Sequence, residues 1–232
     1  MKQAQSGNVL FLILIAVVLF AALSYAVTQS SRGGGNANNE TTLINSSTLI
    51  QYAGQMEQAI QRLRLINGCS ETDITFHDAR WGHTHYQHTP ASDDECNVFH
   101  ADGGGVPFPT DASDVAGLPW EFEGGNDLGN GTNELMMYIP GISLSMCNTI
   151  NDKLGLGWTS PPIDNGSIVD AADGSTRFVG SYVGGTNFDS LTGHPSDNDC
   201  SPVQPLCDIS TACFQEEEGS QYYILYHIIL HR

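Results

Sequence analysis

The chain has 232 residues, with 26 acidic against 8 basic side chains and a formal charge of −18 at pH 7. So acidic a chain lacks the basic face that displaces counterions from phosphates, and no nucleic-acid partner is expected. The same charge favours solubility, repulsion from anionic lipid head groups and an affinity for divalent cations.

Residues 1–7 are short and hydrophilic, with Lys2 the positive side chain. From Val9 to Leu23 every residue is apolar, and the run passes Ser24 and Tyr25 to reach Val27. A helix over this stretch is roughly 28 Å long, near the hydrocarbon thickness of a bilayer. It holds no Gly, Pro or charge that would interrupt it. The apolar region of a signal peptide is usually about 7–15 residues, so length favours a retained helix over 8–28. A cleaved signal is the competing reading, since Ser24-Tyr25-Ala26 has the small-x-small form that signal peptidase cuts. The scarcity of Lys and Arg after the segment predicts an inward N-terminus with the bulk of the chain outside.

Residues 29–40 are polar and rich in Gly and Asn, without apolar periodicity, and read as a flexible linker; Gly33-Gly34-Gly35 marks an unwound break. The remainder, 41–232, is predicted as one extracytoplasmic α+β domain. It opens with an amphipathic helix on which Leu49, Ala53, Met56, Ile60 and Leu63 form one apolar stripe, expected to lie on the domain's own sheet. Ser46 or Ser47 is the expected cap at its start, and Asn67-Gly68 the stop.

Between Cys69 and Gly131 the Gly, Pro, Asp and Asn content predicts loops, including the stretch WEFEGGNDLGNGTNE. ELMMYIPG reads as a strand ended by Pro140. SLSMCNTINDKLG reads as a short helix capped by Ser143 and closed by Gly155, with Leu144, Cys147, Ile150 and Leu154 on one face. SIVDAADGSTRFVGSYV reads as a hairpin turning at Asp173-Gly174. QYYILYHIILHR is the clearest strand. Its Tyr222, Ile224, Tyr226, Ile228 and Leu230 face is wholly apolar and is expected to meet the amphipathic helix.

Cys69, Cys96, Cys147, Cys200, Cys207 and Cys213 all follow the apolar segment. If that part is exported, an even count reads as three disulfides among fifteen pairings. Their spacing is too wide for the tight pairs of a zinc site. FHDARWGHTHYQHTP gathers His77, His83, His85 and His88 beside Asp78. On an extended segment His83 and His85 point the same way, as a Zn, Cu or Ni ion requires, and His100 is a further candidate ligand. The simpler reading is an exposed loop whose histidines titrate. Asp197, Asn198 and Asp199 form the best of three acidic turns for calcium, with solvated turns again the simpler reading. No EF-hand spacing, Gly-x-Ser-x-Gly elbow, Walker loop or dinucleotide fingerprint occurs, so no enzyme and no required cofactor is expected. The sequons at Asn39 and Asn45 matter only in a eukaryotic source.

A hydrophilic leader ending in Gly7, then an apolar helix, then an α+β head resembles the type IV pilins and the pseudopilins of type II secretion. The resemblance implies cleavage after Gly7 by a prepilin peptidase and methylation of Asn8. It implies a helix that sits in the bacterial inner membrane and then among copies of itself, with Val9, Leu12, Val18 and Leu23 on its surface. Cysteines such as Cys200, Cys207 and Cys213 would staple the last loop before the final strand. The family usually has Glu at the fifth mature position, where it pairs with a neighbour's amine in the membrane. Leu12 stands there instead, so the likeness is to minor, tip-like subunits. The alternatives are a single-pass anchored domain that binds a ligand or metal without polymerising, and a secreted, signal-cleaved protein.

Overall fold

A computed structural model describes residues 7–30, 34–78, 86, 94–108, 120–126, 132–163, 178–182, 206, 209–215 and 223–232. The chain divides into two compact units, Met1–Thr42 and Leu43–Arg232.

In the first unit helix α1 spans Gly7–Ser30. Helix α2 runs Gly34–Leu65 and so begins inside the segment expected to be a linker. Gly and Asn each cost about 0.5–1 kcal/mol in a helix, but propagation from an existing helix avoids the costly nucleation step. The expected Ser46/Ser47 cap is likewise corrected, because both residues lie mid-helix. Ser47 Oγ donates to the Leu43 carbonyl at 2.9 Å and Thr48 Oγ1 to that of Ile44 at 3.0 Å, so these hydroxyls are satisfied without ending the helix. The expected stop holds: α2 ends at Leu65 and Gly68 takes φ +71°.

The second unit is α+β. Strands β1 (Glu121–Asn126), β2 (Glu134–Ile142), β3 (Thr211–Gln215) and β4 (Tyr223–Leu230) form one antiparallel sheet in the order β1-β2-β4-β3. Strand β1 falls where a loop was expected. The Gly, Asp and Asn content pointed to a loop, yet Glu121 and Glu123 are buried, and Phe122 and Trp120 enter the core. Pro140 does not end β2. It sits where the register shifts between Ile139 and Ile142, beside Gly141 at φ +76°, an irregularity that accommodates its missing N–H.

The stripe Leu49, Ala53, Met56, Ile60 and Leu63 is buried as predicted, in one core with Leu135, Met137, Ile139, Leu225 and Ile229. The face of β4 that belongs to this core is therefore the reverse of the one expected. Ile224, Tyr226 and Ile228 instead join Met136, Tyr138, Phe214 and Leu206 in a second core on the other side of the sheet. Both faces of β4 are buried, so alternation sets which residues share a face without saying which face the helix covers.

Helix α3 spans Leu144–Lys153, with Ser143 Oγ accepting from the Met146 N–H, and Gly155 follows at φ +75°. Cys147 and Ile150 are buried as expected, whereas Leu144 is exposed. The Asp173-Gly174 hairpin lies outside the described residues. An aromatic cluster closes the β1 end of the core: Phe76 stacks on Phe122 at 4.0 Å, with Tyr86 and Phe178 edge-on to Phe76.

Candidate functional site

Helix α1 is the first candidate. Every described side chain from Leu10 to Tyr25 is exposed, with Leu12 at 59%, Val18 at 59% and Leu23 at 67%. Gly7 opens the helix and Asn8 follows it; the Asn8 and Val9 side chains are outside the described residues. Burying one large apolar side chain contributes about 1.5–3 kcal/mol. A rod with so many of them gains on the order of 20 kcal/mol from any apolar surroundings. From Leu10 to Leu23 every side chain is hydrocarbon, so burial is the chemical act open to that stretch. Among the described residues, no helix is long and apolar enough to cross a membrane; side chains on α1 are described only between Leu10 and Tyr25.

The cysteines form a frame. Cys69 bonds Cys96, tying the exit of α2 to the short turn Asp94–Cys96, and Cys147 bonds Cys213, tying α3 to β3. The implied local staple is corrected for Cys213: it lies in a strand and its partner is 66 residues away. Cys200 and Cys207 lie outside the described residues, as do His83, His85, His88, Asp197, Asn198 and Asp199. His100 is described, with Nε2 3.6 Å from Asp94 and Nδ1 3.7 Å from Asp102. Among the described residues, no group of three ligating side chains could hold a metal ion.

The histidine-rich loop is not wholly exposed. Tyr86, in its middle, is buried at φ 63°; its carbonyl accepts from Thr75 Oγ1 at 2.7 Å and its hydroxyl from the Phe122 N–H at 3.3 Å.

Two polar arrangements had no signal in the sequence, because their members are far apart along it. In the first, Glu71 holds both Arg64, at 2.9 Å, and Arg232, at 3.1 Å, and the Arg232 guanidinium lies 3.9 Å over the Tyr182 ring. Burial, reinforced by Glu71, pushes the Tyr182 hydroxyl well above its ordinary range. In the second, His227 sits on the helix-facing side of β4 with Nδ1 2.6 Å from Thr211 Oγ1 and Nε2 3.7 Å from Glu57 of α2. Burial, with His231 nearby, lowers its pKa to about 4. The imidazole is neutral at pH 7.

No family model matches this chain, and no curated protein or solved structure matches it.

Proposed function

We propose that the chain is a minor pilin-like or pseudopilin-like structural subunit of a type IV filament or secretion pseudopilus, anchored by its N-terminal helix. The observation that carries this reading is α1, whose apolar side chains are exposed on every side and need lipid or sibling helices to cover them. The sequence stays apolar to Val27, which brings the segment to spanning length. Two disulfides favour an oxidising compartment for the head, consistent with α1 in a bacterial inner membrane and the head outside the cytoplasm. The subunit acts by assembly rather than catalysis: α1 leaves lipid for a bundle of like helices and the head is displayed. Prepilin peptidase, the inner membrane and other pilin-like subunits are its partners.

One observation favours a second reading. Leu12 leaves no carboxylate to neutralise a neighbour's amine, and a plain single-pass anchor needs none. Mass spectrometry of the mature N-terminus separates the readings. Asn8, N-methylated, is the expected first residue; Met1 would identify the anchor, and a start at Val27 the secreted protein.

A further inference from the structure

A cleft of ≈ 790 Å³ is lined by Gln61, Arg64 and Leu65 from the end of α2 and by Ser70, Glu71 and Thr72 from the segment after it. Its two charges cancel. Arg64 Nη2 lies 2.9 Å from Glu71 Oε1, and the other oxygen of Glu71 takes Arg232 Nε at 3.1 Å. The pair is still reachable, with 39% of the Arg64 and 30% of the Glu71 side chain exposed. The lining is also held in place. Cys69 is bonded to Cys96, and the Ser70 N–H and hydroxyl both donate to Asp73 Oδ2. Gln61 Nε2 donates to Glu57 Oε1 at 3.2 Å, which fixes the amide and leaves its carbonyl oxygen to accept. Leu65, 84% exposed, is the one large apolar side chain among the described lining residues.

Such a lining selects against ions. An anion must draw Arg64 away from Glu71 and a cation must draw Glu71 away from two arginines, and the chain's charge of −18 repels anions further. A hydroxyl competes with neither partner. It accepts from a spare guanidinium N–H and donates to a spare carboxylate lone pair while the ion pair stays closed, in charge-assisted bonds. Neighbouring hydroxyls on a sugar ring therefore bridge the two ends of the pair, with Gln61 and Thr72 alongside. The apolar C–H face of the same ring is the natural cover for Leu65. An extended peptide fits less well, because it is gripped through recesses for alternate side chains, whereas Leu65 stands out into solvent. We propose that this cleft binds a neutral oligosaccharide, whose adjacent hydroxyls are held by the intact Arg64–Glu71 pair and whose ring face lies on Leu65. The site belongs to the head and does not depend on whether α1 assembles into filaments.

The test uses the full chain, fluorescently labelled, in micelles of a sugar-free detergent. It is passed over a densely printed array of neutral oligosaccharides, sialylated and uronate-bearing oligosaccharides, and peptides; dense printing lets avidity compensate for weak single contacts. Retention on neutral oligosaccharides is expected, nearly unchanged by salt because the ligand carries no charge. Glu71→Gln should reduce it about tenfold, since it removes the charged acceptor and releases Arg64. Leu65→Ala, at an exposed side chain outside the core, should reduce it several-fold with no change in thermal unfolding, which keeps the test decisive if Glu71→Gln disturbs the fold. Arg62→Gln, outside the cleft, should leave it unchanged. Retention only on the acidic sugars or only on peptides would overturn the proposal. So would retention on nothing, or retention that neither Glu71→Gln nor Leu65→Ala diminishes.

Discussion

Asn151 completes the hydrogen bonding of Cys213. Its Nδ2 donates to the Cys213 carbonyl at 2.8 Å, and the Cys213 N–H donates to its Oδ1 at 2.8 Å. Among the described strands β3 is last in the sheet, and at Cys213 the Asn151 amide takes the place that a further strand would fill. Cys147 lies one turn before Asn151 on the same face of α3, so a single residue of β3 is held by its side chain and by both backbone polar groups.

Replacing Asn151 by Leu keeps the volume and leaves two buried backbone groups unsatisfied. At about 1–3 kcal/mol each, the expected loss is about 2–6 kcal/mol. Denaturant unfolding under non-reducing conditions, followed by tryptophan fluorescence, measures it. Asn151→Asp keeps the acceptor for the Cys213 N–H but sets a carboxylate against the Cys213 carbonyl, and should be no better tolerated than Leu. A loss below about 1 kcal/mol for Asn151→Leu would mean that water replaces the amide and that the edge is open.

The Cys147–Cys213 bond closes a separation of 66 residues. Its removal as the Cys147→Ala/Cys213→Ala pair is expected to cost about 2–4 kcal/mol, mainly through a freer unfolded chain. Because Asn151 and the disulfide hold the same residue, combining their losses should not be additive. Once the covalent tie is gone and α3 can move away, Asn151→Leu should cost less, a coupling of about 1 kcal/mol or more in a double-mutant cycle. Simple additivity would show that the two attachments act independently.

Much of the fold was legible because it rests on local pattern. The α2 stripe, the Asn67-Gly68 stop and the Ser143 cap follow from spacing and backbone chemistry, and all three are present. What pattern could not convey was orientation and partnership. A strand buried on both faces gives two apolar sets, and His227 made the helix-facing set look like the wetter one. It is tolerated there because Thr211, 16 residues earlier, supplies a hydrogen-bonding neighbour. Strand β1 was missed because Gly124, Gly125 and Asn126, which end it, carry the composition of a turn. Of the candidate sites, the apolar character of α1 was plain in the sequence. The Arg64–Glu71–Arg232 cluster was not, because Arg232 is 161 residues from Glu71 along the chain.

His227 gives the stability a defined pH dependence. Its pKa is about 4 in the fold against an ordinary 6.5, with Glu57 of α2, Thr211 of β3 and His231 as its neighbours. As pH falls through 6.5 the unfolded chain takes up the proton first, so stability is lost between 6.5 and about 4 and no further below. The full effect of this group is on the order of 3 kcal/mol. His227→Gln keeps a polar partner for Thr211 and cannot titrate. As pH falls across this range the unfolding free energy of the native chain should therefore drop relative to that of His227→Gln, and parallel curves would contradict the buried neutral imidazole.

The exposed surface of α1 makes the sharpest demand on the proposed function. Val18 stands near the middle of the apolar run and is 59% exposed. If that surface sits in lipid or among sibling helices, Val18→Asp places a carboxylate where ionisation costs about 2.5–3.5 kcal/mol. The head should still fold, with its disulfides intact, because none of its core residues is altered. One such cost does not offset burial on the order of 20 kcal/mol, so Val18→Asp alone should stay in the carbonate-extracted pellet. A chain with Asp at Phe11, Leu14, Val18 and Leu23 loses about 5 kcal/mol at each position, apolar burial and ionisation together, and should pass to the soluble fraction. Equal retention of this chain and one with Leu at Val18 would show that α1 is covered by something other than an apolar phase.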